Sequence, residues 1–269
     1  MADSLFEVQQ LELSLPNLNA KPLFGPAPMI HILKGLDFAI EKGCVTGIVG
    51  ESGSGKSTLG RCLVRLHRPT GGSVLFEGRD IAGMEERGLE PLRRDLQMIF
   101  QDPMSSLNPR HTIAKIIARP LRLYGASGSD EKLAKPVLEK VHLPLDFTNR
   151  YPHQLSGGQR QRVGIARAIA LNPKLFLADE IVSGLDVSTQ AQIIRLLEEL
   201  VSEMDLTLAF ISHDLSVIRR LSKNVIIMRS GEIIEQGPTA EIFNNPRHDY
   251  TKELKAAIPL PEIDPDWIT

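Results

Sequence analysis

Gly50-Glu51-Ser52-Gly53-Ser54-Gly55-Lys56-Ser57-Thr58 fits the pattern Gly-x4-Gly-Lys-Ser/Thr, and its flanks decide what the pattern means. The apolar run 45–49 leads in, and a helical pattern starting near Ser57 leads out. A strand, a glycine-rich turn and a helix in that order make a cradle for a polyphosphate. Gly50, Gly53 and Gly55, with Glu51, Ser52 and Ser54 between them, let the backbone wrap closely with its N–H groups inward, and the helix adds the positive end of its dipole. Lys56 supplies a point charge for β- and γ-phosphates, Ser57 a hydroxyl for Mg2+, and Thr58 closes the motif.

A chain of 269 residues, 42% of them hydrophobic, holds one large domain or two small ones with a real core. Its 31 Lys and Arg against 33 Asp and Glu leave a net charge of -2, so no basic field recruits nucleic acid or anionic lipid. Cys44 and Cys62 lack metal-type spacing and read as small buried hydrophobes in a reducing compartment. Met1-Ala2-Asp3-Ser4 is not a basic and apolar leader, and no apolar run approaches the roughly 18 residues of a membrane span. The expectation is a cytoplasmic protein whose membrane role comes through partner chains.

On the N-terminal side, Phe6, Val8, Leu11, Leu13 and Leu15 roughly alternate with polar residues, a half-exposed strand ending at Pro16. Residues 21–28 form a proline-rich loop carrying Phe24, an aromatic placed to stack on a flat base, and 30–40 resume a strand pattern. On the C-terminal side, Leu59, Leu63 and Leu66 continue the helix to a stop before Pro69; strands follow at 73–77 and 96–100, with a polar helix at 87–95. From 104 to about 151 helical spacing takes over, as in Ile113, Ile116, Ile117 and Leu121, a helical insert in an alternating α/β chain. After 154–159 comes a long helix with Val163, Ala166 and Ala170. Buried strands at 175–178 and 206–211 then flank a helix with Ile193, Leu196, Leu197, Leu200 and Met204 on one face, and a hairpin closes around Ser230-Gly231. Such alternation makes a mostly parallel sheet with helices on both faces.

In these sheets the ligand sits outside the carboxyl ends of the strands. Asp179 ends an apolar strand, a position from which a carboxylate holds Mg2+ opposite Ser57, and Glu180 is the natural general base for a water attacking the γ-phosphorus. Gln101 ends another strand and can bond the metal or that water without adding charge. His213 ends a third, within reach of the γ-phosphate. Each alone reads more readily as an ordinary cap or surface residue; convergence with the phosphate loop carries the argument. Ser156, Gly157 and Gly158, before Gln159, open a helix and make a second anion site. One γ-phosphate does not need two such loops from one chain, so the second suits a partner molecule's nucleotide, with Asp186 along the same seam.

This ordered set resembles the nucleotide-binding subunits of ATP-binding-cassette (ABC) transporters over essentially the whole chain. Its parts are the P-loop 50–58, the glutamine loop at Gln101, the signature Leu155-Ser156-Gly157-Gly158-Gln159, the Asp179-Glu180 pair, the loop 183–186 and the switch histidine His213. The resemblance implies an α/β, RecA-like P-loop core with an antiparallel β subdomain over 1–103 and 166–235. It also implies a helical signature subdomain over 104–165 and a C-terminal extension over 236–269. ATP and Mg2+ are the implied cofactors, with Ser57, Gln101 and Asp179 toward the metal and Glu180, His213 and Gln101 in catalysis. The implied assembly is a head-to-tail dimer with an identical or sister ATPase, two ATP molecules sandwiched between P-loop and signature. Transmembrane permease subunits join it, with an extracytoplasmic solute-binding protein acting indirectly, at the cytoplasmic side of the cell membrane.

Residues 100–110, Tyr151-Pro152-His153-Gln154 and the tail His248-Asp249-Tyr250-Thr251-Lys252-Glu253-Leu254 are similar to the oligopeptide, dipeptide and nickel importer branch, in particular its second ATPase subunit. Phe24 falls where that branch stacks an aromatic on adenine. Peptides are the leading cargo, with nickel, sugars and other small solutes as alternatives. Ile181 stands where the family usually has proline, which bears on loop stiffness, and the cysteine-rich tail of some members is absent, so no iron–sulfur cluster is expected. A soluble ABC ATPase would bring coiled coils or a second cassette, and a regulatory module without turnover would not need Glu180, Gln101 and His213.

Overall fold

The computed structural model describes residues 4–22, 25–100 and 106–256; the candidate residues Phe24 and Gln101 lie outside the described residues. Long antiparallel partners β1 (Ser4–Pro16) and β2 (Met29–Glu41) lead through β3 (Val45–Val49) into α1 (Lys56–Leu63). β4 (Gly71–Phe76) and β5 (Arg79–Asp80) complete an antiparallel sheet in the order β2-β1-β4-β5. After α2 (Glu86–Leu89) and β6 (Leu96–Ile99) come α3 (Ile113–Leu123), α4 (Asp130–Lys140) and α5 (Gly157–Ile169). β7 (Leu175–Asp179), α6 (Val187–Met204), β8 (Thr207–Ile211), α7 (Leu215–Leu221) and β9 (Asn224–Arg229) then alternate, followed by β10 (Glu232–Pro238), α8 (Thr239–Asn244) and α9 (Asp249–Ala256). The larger sheet runs β10-β9-β3-β8-β7-β6 and is parallel except for the β9–β10 hairpin.

Its central strands are apolar on both faces, and their period of two divides them between two cores. Val45, Phe176, Phe210 and Val225 belong to the core shared with α3, α4, α5 and α6. Ile48, Leu177, Ile211 and Met228 belong to the other, where Leu59, Cys62 and Leu63 of α1 meet Phe6, Leu11 and Val74 of the antiparallel sheet. The helix after the glycine-rich loop is therefore packed between the two sheets. Burial pushes the Cys62 thiol up to about 12, the state of an inert core cysteine.

In the helical part, Thr112 and Ser129 cap α3 and α4 through their hydroxyls, and Ile113, Ile116 and Ile117 pack with Ala134, Val137 and Leu138. One helix is shorter than its apolar spacing predicts. α1 stops at Leu63, Arg65 takes φ 55, and Leu66 is 51% exposed instead of continuing the buried stripe. The reason is Arg65, whose guanidinium turns inward to donate to the carbonyls of Ile81 (2.7 Å) and Met84 (2.9 Å), so the chain leaves the helix there.

Candidate active site

Register brings three strand ends to one rim. Ile48 of β3 pairs with Ile211 of β8, and Ile211 with Asp179 of β7. Just beyond, Ser212 N–H donates to Ile48 O (3.2 Å) and Glu180 N–H to Ile211 O (3.0 Å). The glycine-rich loop, the Asp179-Glu180 pair and Ser212-His213 thus emerge side by side.

The loop is shaped for close backbone approach. A Cβ on Gly50 would lie 2.1 Å from the carbonyl oxygen of Met228, so no side chain fits there. Gly55 caps α1 without a side-chain oxygen, which leaves the first-turn N–H groups of Lys56, Ser57 and Thr58 to an anion. Lys56 is buried, and its Nζ donates to Gly50 O and Glu51 O, both at 2.7 Å. Burial pulls the Lys56 pKa down, while the carboxylates of Glu180, Asp179 and Glu51 push it back up.

Ser57 Oγ donates to Asp179 Oδ1 at 2.9 Å. Burial raises the Asp179 carboxyl above its ordinary value, and the bond from Ser57 works against that rise. A hydroxyl and a carboxylate side by side are hard oxygen donors of the kind Mg2+ takes, with phosphate and water completing its shell. Glu180 follows with φ 50, left-handed for a residue with a side chain, a strain of roughly 1–3 kcal/mol concentrated at functional sites. Its Oε2 lies 3.7 Å from Nδ1 of His213, whose side chain is 60% exposed. Asp214 next door caps α7, its Oδ1 accepting from Ser216 N at 2.9 Å.

Ile181 occupies a tight turn closed by Ser183 N–H to Glu180 O (3.1 Å), and it is 1% exposed in the helical-side core. Burial of a branched side chain therefore anchors the turn where a proline ring would stiffen it. Ile181→Ala is expected to cost about 2–4 kcal/mol of stability, read from urea unfolding; a loss below about 1 kcal/mol would show that the turn is held by its backbone alone.

The signature stretch sits elsewhere. Ser156 caps α5 in a reciprocal box: Gln159 N–H donates to Ser156 Oγ (3.3 Å) and Ser156 N–H to Gln159 Oε1 (2.9 Å). Gly158 has a role the sequence did not suggest, since a Cβ there would lie 2.4 Å from Thr189 Cγ2 and force α5 away from the start of α6. Thr189 in turn donates its N–H (2.9 Å) and hydroxyl (2.8 Å) to the two carboxylate oxygens of Asp186, the α6 cap, holding that carboxyl below its ordinary value.

Two supports of the loop come from far along the chain. Gly231 of the β9–β10 turn donates its N–H to Ser54 O (3.0 Å), and Glu51 N–H donates to the hydroxyl of Tyr250 on α9 (3.1 Å). The first was legible only as a hairpin turn and the second only as part of the tail motif.

A family model described as ABC transporter matches residues 33–183. Oligopeptide transport ATP-binding protein AppF of Bacillus subtilis is 48% identical over 235 residues, covering 86% of this chain and 71% of AppF. Oligopeptide transport ATP-binding protein OppF of Salmonella typhimurium is 45% identical over 264 residues, covering 97% and 79%. Among solved structures, cbiO1 of Clostridium perfringens, part of the ABC transporter complex cbiONQ, superposes with a TM-score of 0.76 at 27% identity, over 90% of this chain and 92% of its own. The ABC transporter cassette MJ0796, solved as a dimer in a post-hydrolysis state bound to ADP and Pi, gives 0.75 at 31% identity, over 87% and 98%. With more than half its length matched by the family model, and a phosphate loop, acidic pair and histidine on one rim, the chain belongs to the ABC transporter family and is an ATP-hydrolysing cassette of it.

Proposed function

We propose that the chain energises the import of peptides through a membrane transporter, as one half of a head-to-tail pair of cassettes. The observation that carries the catalytic part is the Ser57–Asp179 bond at 2.9 Å with Lys56 behind it and the Glu180–His213 pair at 3.7 Å beside it. Lys56 and the first-turn N–H groups of α1 bind the phosphates. Ser57 and Asp179 would hold Mg2+, which when bound neutralises charge developing on the transferred phosphoryl group. Glu180 takes the proton of the attacking water, and His213 orients that water and the γ-phosphate.

The names of AppF and OppF support peptides as cargo, and the dimeric cassettes among the similar structures support pairing. Val187, 84% exposed, stands in sequence between Leu185 and Thr189, the side chains nearest Gly157 and Gly158, and fits a surface covered by a second cassette. In that pair Ser156, Gly157, Gly158 and Gln159 face the partner's nucleotide. The helical subdomain over 104–165 and the Gln101 segment receive a permease, and 236–269 form an extension of the cassette. No helix among the described residues is long and apolar enough to cross a membrane, in keeping with attachment to the cytoplasmic face through permease subunits. Phosphate release by the purified chain, alone and with candidate permeases in proteoliposomes offered peptides, tests the reading. Turnover that stops on chelating Mg2+ and rises with peptide is expected; no Mg2+-dependent turnover in any combination would sink it.

A further inference from the structure

The tail motif around Tyr250 takes no part in the chemistry above, yet it reaches the phosphate loop. Tyr250 is 1% exposed, among the largest fully buried side chains. Its hydroxyl accepts the N–H of Glu51 at 3.1 Å across 199 residues of sequence. The other side of the same loop residue is held as well, because Glu51 O accepts from Lys56 Nζ at 2.7 Å. Glu51 is therefore pinned between the tail's hydroxyl and the lysine that serves the phosphates. Tyr250 itself is fixed: the Arg229 guanidinium lies 4.7 Å from its ring centroid, and its N–H donates to His248 Nδ1 at 3.1 Å. Glu235 of β10 accepts the N–H groups of Arg247 (2.9 Å) and His248 (3.2 Å), tying the segment to the sheet. Packing and the cation satisfy the ring; what the hydroxyl adds is the bond to the loop.

We infer that Tyr250 is a positioning residue for ATP: through the Glu51 N–H it holds the Gly50–Glu51 peptide, whose carbonyl, that of Gly50, joins Glu51 O in directing the Lys56 ammonium onto the phosphates. The inference rests on the nucleotide site proposed above. Without the hydroxyl, the Gly50–Glu51 peptide turns more freely and Lys56 loses Gly50 O, one of its two short acceptors. ATP and ADP, which share the β-phosphate, then bind more weakly, while Glu180 and His213 are untouched. Such a role raises KM and leaves kcat. A merely structural loosening of the tail removes folded sites, lowering apparent kcat at unchanged KM.

The test compares Tyr250→Phe with Arg229→Leu in the full chain, by Mg2+-ATP and Mg2+-ADP titration, steady-state phosphate release and thermal unfolding. Tyr250→Phe is expected to raise Kd for both nucleotides, and KM, about five- to tenfold, the loss of one hydrogen bond at a partly buried amide, with kcat within about twofold. Arg229→Leu strips the ring of its cation but keeps the hydroxyl, so it lowers the unfolding temperature while ATP affinity stays within about twofold. Equal losses of affinity in the two variants, or wild-type affinity in Tyr250→Phe, would overturn the inference and leave the nucleotide site standing. A wild-type chain that binds no ATP would remove the site and the inference together. If Tyr250→Phe is too unstable to assay, the Glu51 amide of the wild type decides: slow hydrogen exchange without nucleotide supports the bond, and exchange at the rate of an open loop refutes it.

Discussion

Glu180→Gln should leave a chain that binds ATP and barely turns it over. Glutamine has nearly the same shape, so the left-handed turn at φ 50 and the Glu180 N–H bond to Ile211 O are kept. What it loses is the ability to take a proton from the attacking water, and general bases contribute about 10²–10⁴-fold. Phosphate release should fall by that factor while ATP affinity changes by no more than a few-fold, since Lys56, Ser57 and Asp179 are untouched. The second consequence is assembly. If the γ-phosphate holds two cassettes together, a variant that cannot cleave it accumulates the closed pair, because only removal of that group takes away the differential affinity for the closed state. Light scattering at saturating ATP should therefore show a dimer, with itself or with a sister cassette, that the wild type populates only in passing. Normal turnover would take the role of base from Glu180. A solitary variant in saturating ATP beside every candidate sister would remove the clamp.

The rim was readable in advance because each of its parts lies where an apolar run stops. Asp179, His213 and Gly50 directly end or follow buried strands, and a parallel sheet sends all its carboxyl ends the same way. That the parallel sheet is covered on both faces was equally legible in the largely apolar strands 45–49, 175–178 and 206–211, though not that the antiparallel sheet shares one of those cores with α1. What stayed hidden depends on contacts between residues distant in sequence. Gly158 resembled a phosphate-loop glycine, and only the packing of α5 on α6 shows Thr189 filling the space a Cβ would need. Nothing in the spacing of Leu59, Leu63 and Leu66 marks Arg65, and only the carbonyls of Ile81 and Met84 explain why α1 ends where it does. Tyr250 carried a family pattern, but no periodicity connects it with a loop 199 positions earlier. Strand and helix patterns report which face is buried; they do not report what the buried face touches.

Asp179→Asn is expected to move stability and activity in opposite directions. Burial raises the Asp179 carboxyl above its ordinary value, with Ser57, Arg61 and Lys56 opposing without cancelling the rise. A carboxyl raised on folding contributes stability that is fully present below the unfolded value and is lost as pH rises through the folded value. At neutral pH the charge therefore works against the nucleotide-free fold. Asparagine keeps an acceptor for Ser57 Oγ, fills the same space and carries no charge, so the metal-free variant should gain about 1 kcal/mol, or roughly 2–4 °C in melting temperature. That gain should shrink as pH falls through the raised folded value and vanish below the unfolded carboxylate range, where the wild-type side chain is protonated in both states. Activity goes the other way. The charge that strains the empty site is what a divalent cation needs, and losing several kcal/mol of charge stabilisation lowers turnover by about 10²–10⁴-fold. Thermal unfolding in chelator from pH 4 to 8, set beside phosphate release in Mg2+, measures both arms. A variant that melts lower at pH 7 would show that the Asp179 charge supports the empty fold, and one that keeps wild-type turnover would remove Asp179 from the metal.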